Sequence, residues 1–207
     1  EPKIVLTGGS GFLGSHLLKN KLFKKALVIG RSKPKNHKYF EKVTFTEEES
    51  LSKIFKDTDV IVHAAAIAHE INEKSKSSLE IYRRINTENT LILAKQAAKA
   101  GVKRFIFISS VKVLGESSDS KFTFKYDDPL NPKDPYSISK AEAEEGLKQI
   151  NKNYKMEIVI IRPPLIYGQG VKGNFKNLIK LLKLKLPLPF GNIDNKRSLV
   201  SVENLTD

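Results

Sequence analysis

The run Thr7-Gly8-Gly9-Ser10-Gly11-Phe12-Leu13-Gly14 constrains this chain more than any other feature. It follows a short β-rich stretch, Lys3 to Leu6, and opens a helical one, Phe12 to Lys19, so the chain begins strand, tight turn, helix. In that context Gly8 permits a sharp turn, Gly11 lets backbone approach a pyrophosphate, and Gly14 lets helix and strand pack closely. The helix N-terminus then offers unpaired N–H groups to an anion. Without the flanking strand and helix, the same glycines would indicate only a flexible loop.

Further apolar runs recur at Ala26 to Ile29, Val43 to Phe45, Val60 to Ala64, Phe105 to Ile108 and Ile158 to Ile161. Their near-continuous hydrophobicity is that of parallel strands covered on both faces. Between them lie helical patterns at Glu47 to Phe55, at Leu79 to Ala100 closed by Gly101, and at Tyr136 to Asn151 started by Asp134-Pro135. This alternation predicts an α/β fold with an open, doubly wound parallel sheet. After Arg162 the texture changes to Pro163-Pro164, a glycine-rich stretch, a Lys/Leu helix from Phe175 to Leu184, a Pro187/Pro189 break and a strand-like Leu199 to Val202. We therefore expect a dinucleotide-binding domain over 1–162 and the beginning of a smaller substrate lobe over 163–207, incomplete at Asp207.

With 207 residues, 40% of them hydrophobic, the chain can bury one sizeable core. It has no Cys, which excludes a disulfide framework, a thiolate metal site and a Cys nucleophile, and suits the cytoplasm. No apolar run is long enough to cross a bilayer, no signal-peptide pattern opens the chain, and the start at Glu1 without Met suggests removal of a tag or first residue. The net charge of +13 points to anionic partners. Because the lysines are scattered and no aromatic platform accompanies them, a solvated surface and a phosphate-rich small substrate fit better than nucleic acid. The basic stretch Phe175 to Leu184 reads as an amphipathic lobe helix and not a membrane anchor. His63 and His69 are expected to pack against cofactor or core, with no metal site.

Two other constellations carry chemistry. Tyr136-Ser137-Ile138-Ser139-Lys140 puts a phenol and an amine on one helix face at i, i+4. A free phenol ionises near pH 10, so Tyr136 needs a cation beside it to work at neutrality, and Lys140 would supply one while reaching a nicotinamide ribose. Phe105 to Ile108 ends in Ser109-Ser110, beyond the carboxyl end of a strand, where ligands of open sheets bind. Ser110 there could donate to a substrate oxygen or simply cap the next turn. At the end of the second strand Arg31 stands where an acid would often meet the adenosine 2′-hydroxyl, and suits a 2′-phosphate instead.

Taken in order, T-G-G-S-G-F-L-G, the H-A-A-A from His63, I-S-S-V-K-V-L-G, Y-S-I-S-K and R-P-P-L-I-Y-G from Arg162 resemble the NAD-dependent epimerase/dehydratase family of extended short-chain dehydrogenases. The resemblance covers essentially the whole chain. It implies a Rossmann fold, NAD or NADP as cofactor, a UDP-sugar as substrate, and Ser110, Tyr136 and Lys140 as the catalytic set. It places the cofactor against Gly8, Gly11, Phe12, Leu13, Gly14, Arg31, Ala64, Ala65 and Ala66, as well as Tyr136 and Lys140. It matches Asn174 to a substrate-binding position and Arg197 to a diphosphate-binding one, with Ser110 also touching substrate. Within the family, His63 to His69 and Arg162 to Phe175 are similar to bacterial surface-polysaccharide enzymes that handle UDP-N-acetylhexosamines. The chain departs from the pattern at Arg31 and at Thr46-Glu47, where an adenine-contacting Asp is common.

The activity so implied is hydride transfer at sugar C4 by a UDP-hexose or UDP-N-acetylhexosamine 4-epimerase, with Tyr136 a phenol of lowered pKa. The alternatives are an NADP-dependent reductase of a UDP-4-keto-6-deoxy sugar and a non-catalytic dinucleotide-binding module. A dehydratase is disfavoured because Val111-Lys112 stands where acids are common. The resemblance further implies a homodimer through Leu79 to Ala100 and Tyr136 to Asn151.

Overall fold

The computed structural model describes residues 2–46, 51–68, 78–118, 123–171, 173–184 and 196–207. Six strands, β1 (Ile4–Thr7), β2 (Leu27–Gly30), β3 (Phe40–Lys42), β4 (Val60–His63), β5 (Arg104–Ile108) and β6 (Glu157–Ile161), form a parallel sheet in the order β3-β2-β1-β4-β5-β6. This is the doubly wound Rossmann order. The chain runs outward from β1 to β3, then returns to pair β4 with the other side of β1, opening a crevice at their carboxyl ends.

Successive strand residues feed opposite cores, which is why these strands are apolar nearly throughout. Val5, Ile29, Ile61 and Phe105 join Phe55, Leu93, Leu147 and Ile150 on one face. Leu6, Val28 and Val62 join Leu17, Phe23 and Ala26 on the other. The helices that cover these faces are α1 (Phe12–Leu17), α2 (Ser52–Phe55), α3 (Ser78–Tyr82), α4 (Asn89–Lys99) and α5 (Pro135–Asn153). The start of α5 is strongly specified: Asp134 accepts from the Ser137 N–H, the Ser137 hydroxyl closes the capping box, and Pro135 opens the first turn. Gly146 lets α5 lie against α4, since a Cβ there would stand 2.5 Å from Leu91.

Three expected elements differ. The third strand is not Val43 to Phe45 but Phe40–Lys42, which pairs with Val28 to Gly30. Val43 is buried from just beyond the strand and Phe45 takes a positive φ of 58°, so its apolar run marks core contact and not strand. The helix expected from Glu47 is described only as Ser52–Phe55, with 47–50 outside the described residues. The helix expected from Leu79 to Ala100 is interrupted, because Arg83–Glu88 is a π-helical segment between α3 and α4.

Past β6 the chain forms β7 (Leu165–Tyr167), α6 (Gly173–Lys183), β8 (Leu199–Ser201) and α7 (Val202–Thr206), with β7 and β8 paired in parallel. This part is tied to α1: His16 Nε2 donates to the Gln169 carbonyl at 2.9 Å, and Asn20 donates to the Thr206 carbonyl at 3.1 Å. Among the described residues no helix is long and apolar enough to cross a membrane.

Candidate functional site

The glycine turn lies at the crevice between β1 and β4. Gly8 has φ +74°, and a Cβ on it would fall 2.6 Å from the Ala64 carbonyl carbon and the Ala65 nitrogen, so β4's end can approach only because the residue is glycine. A Cβ on Gly14 would fall 2.1 Å from the Gly8 oxygen, which is the close strand–helix packing expected of it. The Gly11 N–H donates to the Gly8 carbonyl at 2.9 Å and closes the turn. Gly11 brings no side chain to cap α1, and the first turn holds no acid, so among the described residues no capping side chain competes with an anion for the donors at Phe12 and Leu13. The cradle therefore fits a dinucleotide pyrophosphate.

The wall opposite is built by hydrogen bonds. Thr90 donates to the Asn86 carbonyl at 2.7 Å and so accepts from His63 Nε2 at 2.9 Å. Thr7 donates to His63 Nδ1 at 2.7 Å and accepts the Ala65 N–H at 3.2 Å. Those partners assign the neutral tautomer with its proton on Nε2. Burial, and then the nearby Lys140 charge, push the His63 pKa down to about 3. Stacked 5.9 Å from Phe107, with both ring nitrogens engaged by Thr7 and Thr90, His63 is a neutral strut of the core. Asn86, from the π-helical segment, clamps the Ile67 N–H and carbonyl at 3.0 and 3.1 Å and fixes the Ala64 to Ile67 segment. Of this wall, sequence reasoning singled out only His63 and the alanines. Ala64 and Ala65 are half-buried and Ala66 is exposed.

Ser110 and Tyr136 come together just past the carboxyl end of β5, and Lys140 follows one turn after Tyr136 on α5, packed on the Phe107 ring of β5. Ser110 caps the 3-10 turn Val111–Leu114, accepting the Lys112 N–H at 3.3 Å, and its hydroxyl is also the hydrogen-bond partner of the Tyr136 phenol. Tyr82 meets Tyr136 edge-on at 6.2 Å. Lys140 is 1% exposed, with Nζ 4.1 Å from the centre of the Phe107 ring. The expectation of a lowered phenol pKa is overturned. Burial pushes Tyr136 up to about 12, outweighing the Ser110 hydrogen bond that lowers it. Burial likewise pushes Lys140 down to about 7, against the pull of Glu144, so the cation expected beside the phenol is itself only partly charged at neutrality.

Sequence reasoning missed the ionic supports of this half. Glu144, fully buried, accepts from the Ser109 hydroxyl at 2.5 Å and from Arg162 Nη2 at 2.7 Å. Lys112 pairs with Asp134, joining the turn that carries Ser110 to the cap of the helix that carries Tyr136. The spacing Tyr136, Lys140, Glu144, one residue per turn along a single helix face, was the available signal.

The remaining expected residues lie apart from this cluster. Arg31 is exposed just past β2, and Arg197 is exposed just before β8. Asn174 belongs to α6, but its side chain lies outside the described residues, as do Glu47 and His69. Among the described residues no group of His, Asp or Glu side chains could hold a metal ion.

The chain matches known proteins over nearly its whole length. It is 44% identical over 210 residues to a UDP-glucose 4-epimerase from Vibrio cholerae, covering 99% of this chain and 64% of that protein. It therefore spans about two-thirds of that relative's length. It is 29% identical to the N-acetyl-alpha-D-glucosaminyl-diphospho-ditrans,octacis-undecaprenol 4-epimerase of Escherichia coli O157:H7, covering 99% of this chain and 61% of that one. Among solved structures, a variant of the UDP-glucuronic acid 4-epimerase from Bacillus cereus, bound to UDP-4-deoxy-4-fluoro-glucuronic acid and NAD, superposes with a TM-score of 0.79 at 28% identity, covering 99% of this chain and 70% of that one. The sequence profile of the NAD dependent epimerase/dehydratase family matches residues 4–207. With the β3-β2-β1-β4-β5-β6 order and the glycine cradle in place, that match identifies the chain as a member of the NAD dependent epimerase/dehydratase family.

Proposed function

We propose that this chain binds NAD or NADP in the Gly8 to Gly14 cradle and carries the catalytic set of a nucleotide-sugar 4-epimerase acting on a UDP-hexose or UDP-N-acetylhexosamine. The observation that carries the reading is the meeting of Ser110 with Tyr136 just past the end of β5, with Lys140 one turn further along α5 and near His63 of β4, in a sheet whose glycine turn sits at the β1–β4 switch point. The 4-epimerases from V. cholerae and B. cereus are the relatives that point to this chemistry. In this reading residues 1–162 form the dinucleotide-binding domain and 163–207 begin the substrate lobe, where Asn174 and Arg197 meet the sugar nucleotide.

The dinucleotide, when bound, supplies the acceptor and donor for the hydride at sugar C4. Phe12, Leu13 and the glycines would hold its pyrophosphate, Ala64 to Ala66 would flank it, and Lys140 would bind its ribose. Ser110 orients the sugar 4-oxygen, and Tyr136 exchanges a proton with it. Because burial favours the neutral phenol, Tyr136 is by default a proton donor toward a 4-keto oxygen. Accepting the proton of a 4-hydroxyl requires the phenolate, and the charge state of Lys140 then matters directly. Arg31, exposed at the end of β2, favours a cofactor with a 2′-phosphate and with it the second reading, reduction of a UDP-4-keto-6-deoxy sugar.

The test is an assay of C4 epimerisation with UDP-glucose and UDP-N-acetylglucosamine. Tyr136→Phe should lower the rate by about 10²-fold or more; undiminished activity would overturn Tyr136 as the proton-transfer residue, and a folded wild-type protein that binds dinucleotide but epimerises neither sugar would leave only the dinucleotide-binding module. We further propose a homodimer through the outer faces of α4 and α5, a cytoplasmic location, and a role in supplying sugars for surface polysaccharide. Sedimentation showing only monomer at micromolar concentration would contradict the first of these.

A further inference from the structure

Glu144 lies one turn beyond Lys140 on the face of α5 that begins with Tyr136, and it is completely buried. A carboxylate in such a place must be compensated. Arg162 binds it in a forked arrangement, Nε at 3.1 and 3.2 Å from the two oxygens and Nη2 at 2.7 Å from Oε2. Ser109 donates to Oε1, and Arg162 also donates from Nη1 to the Tyr126 carbonyl at 2.8 Å. Ser109 follows β5 and Arg162 follows β6, and the Ser109 N–H donates to the Ile161 carbonyl at 2.7 Å. One carboxylate thus joins α5 to two strand ends at the place where Ser110 leaves the sheet.

We propose that Glu144, buried one turn beyond the buried Lys140 on the same face of α5, is a positioning residue that sets the charge of Lys140, with Arg162 as the counterion that limits how strongly it does so. The proposal rests on the reading of Lys140 as a member of the catalytic set, but its first test does not. Among the described residues, the titratable groups around Lys140 are few. On α5 they are Tyr136 and Glu144, on β4 it is His63, held neutral, on α3 it is Tyr82 beyond Tyr136, and past β6 it is Arg162, which acts through Glu144. Glu144 is the anion among them that favours the ammonium, and burial opposes it. Removing its charge strands the Arg162 cation nearby, so both changes drive Lys140 toward its neutral form. Removing the Arg162 charge leaves Glu144 uncompensated and drives Lys140 the other way.

The experiment follows the Lys140 side chain itself. In protein labelled with ¹³C-lysine, the Lys140 ¹³Cε resonance, assigned through Lys140→Arg, is titrated without added cofactor. Glu144→Gln, which keeps a hydrogen-bonding group of the same shape, should lower the Lys140 midpoint by about one pH unit or more. Arg162→Gln should raise it by a similar amount. Opposite signs are what a role in charge predicts. Unchanged midpoints, or shifts of one sign in both variants, would overturn it and leave a purely structural brace. If Glu144→Gln does not fold, the Arg162→Gln titration decides alone: an upward shift supports the proposal, and no shift or a downward one overturns it. A second readout ties the brace to catalysis. The alkaline limb of the kcat/KM profile should move to lower pH in Glu144→Gln and to higher pH in Arg162→Gln. Shifted midpoints with an unmoved limb would uphold the proposal for Lys140's charge while overturning Lys140's catalytic assignment.

Discussion

The two sides of the crevice are held together by different chemistry. On the β1–β4 side, Thr7, His63, Thr90 and Asn86 pass hydrogen bonds between neutral groups, and the glycine turn closes on itself. On the β5–β6 side the supports are ionic: Glu144 with Arg162, Lys112 with Asp134, and a buried Lys140. A neutral network fixes geometry without responding to its surroundings. An ionic one, poised near neutrality, couples geometry to charge where a proton must move.

Breaking the ionic side should have the largest effect. Glu144→Ala leaves Arg162 and the Ser109 hydroxyl without their partner in a buried site, and we expect a loss of about 3–5 kcal/mol in urea unfolding. On the neutral side Gly14→Ala forces a Cβ against the Gly8 carbonyl, with an expected loss of about 2–3 kcal/mol and at least tenfold weaker dinucleotide binding by calorimetry.

The pH dependence of stability then separates the two sides. His63 falls from 6.5 to about 3 on folding, so the unfolded chain binds the extra proton and the stability it reflects is present above pH 6.5 and lost as pH falls toward 3. Lys140 falls from 10.5 to about 7, so its contribution is present above pH 10.5 and lost as pH falls to 7. In each window the group adds a slope of up to about 1.4 kcal/mol per pH unit. His63→Leu should remove the acid slope, and Lys140→Met should remove the alkaline one while narrowing the acid window, because the Lys140 charge helps lower His63. The smallest effect is outside the site: Arg104→Ala breaks a half-exposed pair with Glu157 and should cost about 0–1 kcal/mol.

The neutral side was also the more legible one. Gly8 to Gly14 is read from adjacent residues, because the turn, the cradle and the helix start are local, and the parallel sheet follows from apolar runs whose alternate residues feed two cores. The Tyr136 and Lys140 pair was visible because helix periodicity is local too. What escaped depends on tertiary placement. Nothing in Arg83 to Glu88 distinguishes a π-helical segment from a regular one, so Asn86 went unmarked as the clamp on Ile67. Glu144 looks like any helix glutamate until β5 and β6 bring Ser109 and Arg162 to it. The raised Tyr136 pKa escaped for the same reason, since burial is a property of the packed fold and the Y-x-x-x-K spacing carries only the partner.

The most direct test of the account is calorimetric titration of the protein with NAD⁺ and NADP⁺, run beside Gly14→Ala. Saturable binding of at least one dinucleotide, weakened at least tenfold by the substitution, is the result the account predicts. Absence of binding to a folded wild-type protein, or binding that the substitution leaves unchanged, would contradict the assignment of the Gly8 to Gly14 turn as the cofactor cradle.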